Sequence, residues 1–341
     1  MKLLTKNLLA SLLAVGLFSA CSPSEQTTEQ MKPAPTAPVA VVKKVDITSF
    51  VEHPALDAVR KGVIEELAEQ GFKENDNLKV NFQSAQNNSG TAAQIAKQFV
   101  GENPDVIVAI ATPSAQAVAS ATTEIPLVFS AVTDPVAAKL VPSWEASGTN
   151  VTGVSDLLPL EPQIEMMKKV VPNLKSVGYV YSPGEVNSTI VLEQLQELLQ
   201  PQNIKVEAVP AQRSTDIPQA TKSLKGKVDL IYTSLDNNVV SAYESMYMAA
   251  KEAQIPLVAS DTDSVPRGAV AALGVNYYDV GRETGKIVAD ILNGTAPGAI
   301  KPRTMEKLDM HVSPNNAVAQ GITLSDEFVQ SAQKVIEDAA K

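Results

Sequence analysis

Residues 104–120, PDVIVAIATPSAQAVAS, run an apolar stretch into the polar turn Ala-Thr-Pro-Ser and on into an alanine-rich segment. The pattern is a strand that ends in a turn at a helix start. Two chemistries fit it. Ser114 is either an exposed nucleophile on the turn, or one of several small polar groups that grip a ligand.

The flanking sequence offers the nucleophile little support. ATPSAQ (111–116) lacks the Gly-x-Ser-x-Gly elbow that exposes a catalytic serine, and neither His53 nor His311 stands in a motif that marks a partner base. No Walker loop is present, and GVNYYDVG (274–281) lacks the glycine spacing of a dinucleotide-binding turn. The two histidines are far apart and show no zinc-type spacing, so no metal or other cofactor is expected. A formal charge of −10 argues against a nucleic-acid surface.

The same plan recurs along the chain. Strand-like runs at 45–50, 78–82, 106–110 and 127–130 alternate with helical faces such as Leu56, Val59, Val63 and Leu67. A second series follows at 176–181, 204–209, 228–233 and 257–260, with a helical stripe at Val191, Leu192, Leu195, Leu198 and Leu199. EIPLVFSAVTDP (124–135) and QIPLVASDTDS (254–264) are near-copies, and DLIYTSLDNNVVSA (229–242) is a counterpart of the opening stretch. Alternation at this spacing predicts βαβ units and parallel sheets, here in two α/β lobes. The segment 267–294 reads as one further strand and helix that cross back to complete lobe 1, while 308–312 and a last helix return to lobe 2. The expected division is 45–153 with 262–307 for lobe 1, and 154–261 with 308–341 for lobe 2. Several crossings make a hinge, and a hinge implies a cleft that closes.

Ligands of open α/β sheets bind beyond the carboxyl ends of the strands. Those ends here are TSFVEHP (48–54), ATPSAQ (111–116), SAVTDP (130–135), YSPGEVNS (181–188), TSLDNN (233–238) and SDTDS (260–264). Helix starts just after them suit a carboxylate, and Asp236 and Asp261 suit an ammonium group, together a pocket for a zwitterion. For any one of these residues a helix cap is the commoner role; only their convergence on one edge points to a ligand.

The N-terminus sets the compartment. Lys2 and Lys6 precede the short apolar stretch 8–18, the form of a secretory signal over 1–20. The only cysteine, Cys21, follows small residues as in a bacterial lipobox, which makes it the expected lipidation site. A Pro/Thr/Ala/Ser-rich tether is expected over 21–44. The folded part is thus expected outside the membrane, on the periplasmic or extracellular side, held there by a lipid anchor.

Taken in order, VEHPALDAVRKGV, IATPSAQA, IPLVFSAVTDPV, NVTGVSD, YSPGEVNS, DLIYTSLDN and GVNYYDVGRETG resemble the ABC-transporter substrate-binding lipoproteins of the tryptophan type, within the type I periplasmic binding proteins. The resemblance implies a two-lobed Venus-flytrap fold, each lobe a mostly parallel sheet flanked by helices. It also implies a monomer that is no enzyme, takes a hydrophobic or aromatic amino acid such as tryptophan or phenylalanine, and docks on an ABC permease. By motif position, Thr112, Ser114, Thr133 and Asp134 would hold one polar end of the ligand. Glu185, Asn187, Ser188, Asp236 and Asn237 would hold the other, and Asp261 would serve the ligand or the hinge. Phe50, Glu52, Tyr277 and Tyr278 are the candidates for the side-chain pocket. A partner role for a membrane sensor, and serine hydrolysis through Ser114, are the other two readings.

Overall fold

The computed structural model describes residues 42–338. The expected signal segment, Cys21 and nearly all of the tether lie outside these residues. Lys43 and Lys44, expected to end the tether, already belong to the first strand.

Lobe 1 is built on a six-stranded sheet. In chain order its strands are β1 (Lys43–Ser49), β2 (Leu78–Ser84), β3 (Val106–Ile110), β4 (Leu127–Val132) and β5 (Val151–Ser155). The late strand β11 (Arg303–Thr304) adds one edge, giving the order β11-β5-β4-β3-β1-β2, all parallel. VIVAI in β3 and LVFSAV in β4 are buried along their whole length, as strands covered by helices on both faces must be. The edge strand β2, LKVNFQS, is mostly half-buried and carries Lys79, Asn81 and Gln83, which blunt the open edge.

Lobe 2 repeats the design with β6 (Ser176–Tyr181), β7 (Lys205–Pro210), β8 (Leu230–Thr233), β9 (Leu257–Ala259), β10 (Ala271–Gly274), β12 (Asp309–Val312) and β13 (Lys334–Val335). The order is β13-β12-β10-β9-β8-β6-β7, and the β10–β12 pair is its one antiparallel pairing.

The helices are α1 (Pro54–Glu69), α2 (Ser89–Glu102), α3 (Thr112–Ala121), α4 (Leu160–Val170), α5 (Val186–Leu199), α6 (Ile217–Ser223), α7 (Asn237–Ser241), α8 (Tyr243–Ala253), α9 (Tyr277–Leu292), α10 (Pro314–Ala319) and α11 (Asp326–Gln330). The chain after β12 forms two short helices and a strand instead of the single last helix expected.

Three connections cross between the sheets, at 156–159, 275–276 and 305–308. The second corrects the expected boundary at 262. Strand β10 pairs with β9 and β12 in lobe 2, and only α9, which follows it, returns to lobe 1. Periodicity identifies a strand but carries no information about which sheet accepts its hydrogen bonds.

Helix α9 reaches lobe 1 by packing along α1 at very short range. A methyl group on Gly281 would run into the Val59 carbonyl, and one on Gly62 into the Tyr278 carbonyl. The glycines of GRETG are therefore a helix-contact device. Arg282 ties the pair further, with charge-assisted bonds to Glu66 and Glu69 on α1.

Candidate functional site

The carboxyl ends of both sets of strands face one another across a cavity. Lobe 1 contributes His53 and Leu56 at the start of α1, Ala111 and Thr112 at the start of α3, and Ala131 and Thr133 at the end of β4. Lobe 2 contributes Asn187, Leu235, Asn237, Val240 and Asp261. Asp156 on the first crossing and Tyr277 after the second complete the wall, so hinge residues are also site residues.

The backbone of lobe 1 is distorted where it meets the cavity. Ala111 has φ +73° and ψ 151°, and Ala131 has φ +53°, conformations that side-chain-bearing residues rarely adopt. Each costs on the order of 1–3 kcal/mol and persists because the buried sheet over-determines it. The Ala111 N–H is held by the Ser130 carbonyl at 3.0 Å. As N-cap of α3, Ala111 has no side chain that bonds the first turn. The start of α3 thus meets the cavity with its dipole uncompensated by a cap, a setting that favours an anion.

The opposite wall supplies acceptors. Asp156 Oδ2 takes a 3.0 Å hydrogen bond from the Tyr277 hydroxyl, whereas its buried Oδ1 has no partner. Burial lifts this carboxyl to about 6, against the opposing pull of the Tyr277 and Thr133 hydroxyls. Asp261 is also pushed up to about 6 by burial, although it accepts from the Ser264 backbone N–H at 2.9 Å and from Ser264 Oγ at 2.6 Å. The Asn187 amide spends its N–H groups on Glu185 and the Leu235 carbonyl, both at 3.0 Å, and leaves Oδ1 buried and unpartnered. Buried acceptors without partners are costly, and a ligand ammonium would satisfy them.

The structure sorts the expected residues into two groups. Thr112, Thr133, Asn187, Asn237, Asp261 and Tyr277 line the cavity. The others have different work. Asp134 caps its own turn, accepting from the backbone N–H groups of Val136 and Ala137, each at 2.9 Å. Asp236 is fully buried and accepts from Ser182 N, Ser182 Oγ and Val239 N at 2.6, 2.9 and 3.0 Å. The expected ammonium partner is therefore a structural clamp between β6 and α7. The Ser188 carbonyl accepts from the Tyr179 hydroxyl. Glu52 is exposed and off the cavity wall, and Tyr278 turns to the outer face of α9, where its hydroxyl donates to Glu65 at 2.6 Å.

Ser114 is buried in the first turn of α3 and is absent from the cavity wall. Its Oγ has no hydrogen-bond partner, so no base stands ready to activate it.

A second, larger hollow of about 820 Å³ lies at the mouth of the cleft, between Phe50, Asn87 and Pro113 on one side and Pro183, Glu185 and Asn238 on the other. Asn87 Nδ2 donates to Asn238 Oδ1 at 2.5 Å, a direct bond from lobe to lobe. Glu185 sits between mouth and core. Its Oε2 accepts from Asn187 Nδ2, Asn237 N and Asn237 Nδ2, and burial together with nearby Asp236 pushes its carboxyl well up.

Two residues escaped the sequence reading, Asp156 and His53. Both lie inside stretches already singled out, VSD (154–156) and EHP (52–54), at the carboxyl end of a strand and at a helix start. Those positions were the available signal.

Two sheets joined by three crossings around a polar cavity define a two-lobed solute-binding protein. Residues 44–336 match the family model described as ABC transporter substrate binding protein, and the chain belongs to that family. A tyrosine-binding protein of Clostridioides difficile is 36% identical over 92% of this chain and 90% of its own length. A solved Streptococcus pneumonia domain in complex with L-Trp is 32% identical, covers 86% of this chain and 100% of its own, and superposes with a TM-score of 0.83. A Clostridium difficile substrate-binding protein with adhesive properties, solved ligand-free and open, is 37% identical with a TM-score of 0.66, covering 87% of this chain and 99% of its own. The more identical of these two, the ligand-free open one, superposes less well than the L-Trp complex.

Proposed function

We propose that the protein captures an aromatic amino acid between its lobes, on the outer side of a membrane, and presents it to an ABC permease. The observation that carries this reading is the polarity of the cavity. Unpartnered acceptors on Asp156 and Asn187, with the Asp261 carboxyl, face an uncapped helix start across a space that Leu56, Leu235 and Val240 also line. A ligand with an ammonium, a carboxylate and a flat apolar side chain matches all three parts. The relatives that bind tyrosine and L-Trp support the choice of side chain. Closure needs no chemistry on the solute, since the ligand shifts the open–closed equilibrium by its differential affinity for the closed form. Lipidation of Cys21 would keep the protein beside its permease.

The test is a thermal-shift screen of residues 42–341 against all amino acids, small peptides and simple sugars, followed by calorimetry on the hits. Saturation at about a hundred times Kd adds roughly 2.7 kcal/mol to apparent stability, an unmistakable shift. Tyrosine, tryptophan or phenylalanine should lead the ranking. A sugar leading it, with no amino acid active, would remove the assignment.

A further inference from the structure

We infer that His53 reads a hydrogen-bonding group at the ring end of the ligand, so that the cleft favours a side chain with a ring hydroxyl or ring N–H over a bare phenyl ring. This deepens the functional reading above and rests on it.

His53 occupies the N-cap position of α1, yet its side chain makes no cap bond. It lines the cavity, and its buried Nδ1 has no hydrogen-bond partner. Burial, with the positive charge of Arg267 second, pulls the imidazole down to about 3, so the ring is neutral and carries one donor and one acceptor. A buried ring nitrogen without a partner is costly, and no helix-capping role offsets it.

Other polar groups of the cavity suit the charged ends of the ligand. Asp156, Asn187 and Asp261 present acceptors to an ammonium, and the first turn of α3 presents donors to a carboxylate. His53 brings an unpartnered ring nitrogen to the cavity, set beside apolar Ala55 and Leu56, with Val240 on the opposite wall. A polar atom among apolar neighbours matches the edge of an aromatic ring better than either charged end. A phenol hydroxyl engages a neutral imidazole as donor or as acceptor, and an indole N–H meets its acceptor nitrogen.

Calorimetry with L-tyrosine, L-tryptophan and L-phenylalanine on the wild-type chain, His53→Leu and His53→Gln tests this, with a circular dichroism melt confirming that each variant folds. The wild type should bind tyrosine at least about tenfold tighter than phenylalanine, the value of one well-made buried hydrogen bond. His53→Leu should lose about tenfold for tyrosine and tryptophan while phenylalanine stays within about twofold, and His53→Gln should recover part of the loss. Equal weakening of all three ligands, or an unchanged tyrosine-to-phenylalanine ratio in His53→Leu, overturns the inference but leaves the aromatic amino-acid reading standing. Failure of all three ligands to bind the wild type removes both.

Discussion

The turn after β3 in lobe 1 and the turn after β8 in lobe 2 are built from the same parts and do opposite jobs. ATPSAQ (111–116) leaves its helix start uncapped and forces Ala111 to positive φ against the cavity. TSLDNN (233–238) closes on itself. Asp236 caps α7 and clamps Ser182, while Glu185 collects the N–H groups of Asn187 and Asn237. The turn after β3 keeps its helix start free for a ligand, and the turn after β8 spends its groups on rigidity while neighbouring Asn187 Oδ1 stays unpartnered. The lesson is that a binding turn is recognised by what it leaves unpaired.

The largest effect should come from removing the hinge-borne acceptor. Asp156→Asn should weaken binding of an aromatic amino acid by about a hundredfold or more, because a hydrogen bond to a charged partner is worth roughly 1.5–3 kcal/mol and a buried amide N–H would meet the ammonium in its place. The same substitution should raise the melting temperature of the ligand-free protein at neutral pH, since it deletes a carboxyl whose ionisation burial disfavours. A binding loss without a gain in stability would show that the cavity is not strained for its ligand.

Next in size is the contrast between the jaws. Asp236→Ala should cost about 3 kcal/mol of stability in denaturant melts, because it leaves three buried donors unpaired. Thr112→Val should leave the melt unchanged and lower affinity about fivefold, in line with one net hydrogen bond. If the two variants exchanged phenotypes, the division into structural and ligand-facing turns would be reversed.

The pH dependence follows from the raised carboxyls. Asp156 and Asp261 hold protons in the ligand-free fold up to about pH 6, whereas an unfolded aspartate loses its proton near 4. Between these values the native state binds more protons, so their contribution to ligand-free stability falls as pH rises through that window. An ammonium ligand requires the ionised forms, so affinity should fall as pH drops below about 6, by at most about tenfold per pH unit for each carboxyl. Titration calorimetry between pH 5 and 8, at roughly one-unit steps through that window, measures it. A flat profile would mean that neither carboxyl meets the ligand's charge.

The smallest effect belongs to the mouth. Asn87→Ala removes the lobe-to-lobe bond to Asn238 and should speed ligand release about threefold in stopped-flow displacement, with little change in the association rate. A larger change in association than in release would place this bond on the entry path rather than on the closed state.

How much of this was legible beforehand differs between fold and site. The strands and helices follow from periodicity because burial on both faces of a parallel sheet demands unbroken runs such as VIVAI and LVFSAV. The assignment of β10 to lobe 2 did not follow, because AALG has no feature that names its pairing partner. At the site, Thr112, Asn187 and Asp261 line the cavity, whereas Asp134 Oδ1 and the Asp236 carboxylate, chosen on the same grounds, accept from nearby N–H groups. A cap and a ligand contact use the same short polar side chains, and sequence holds no record of which lone pairs are taken.

The alternation of apolar periods, the repeated strand–turn–helix plan and the polar strand ends were determined by the sequence alone, since each is a local consequence of which residues can be buried. Which oxygens on Asp156 and Asn187 stay unpaired, which alanines are forced to positive φ, and which imidazole nitrogen is left without a partner were decided only by the tertiary structure. Those properties belong to pairs of residues brought together from distant parts of the chain, and a hydrogen bond exists only once both partners are in place.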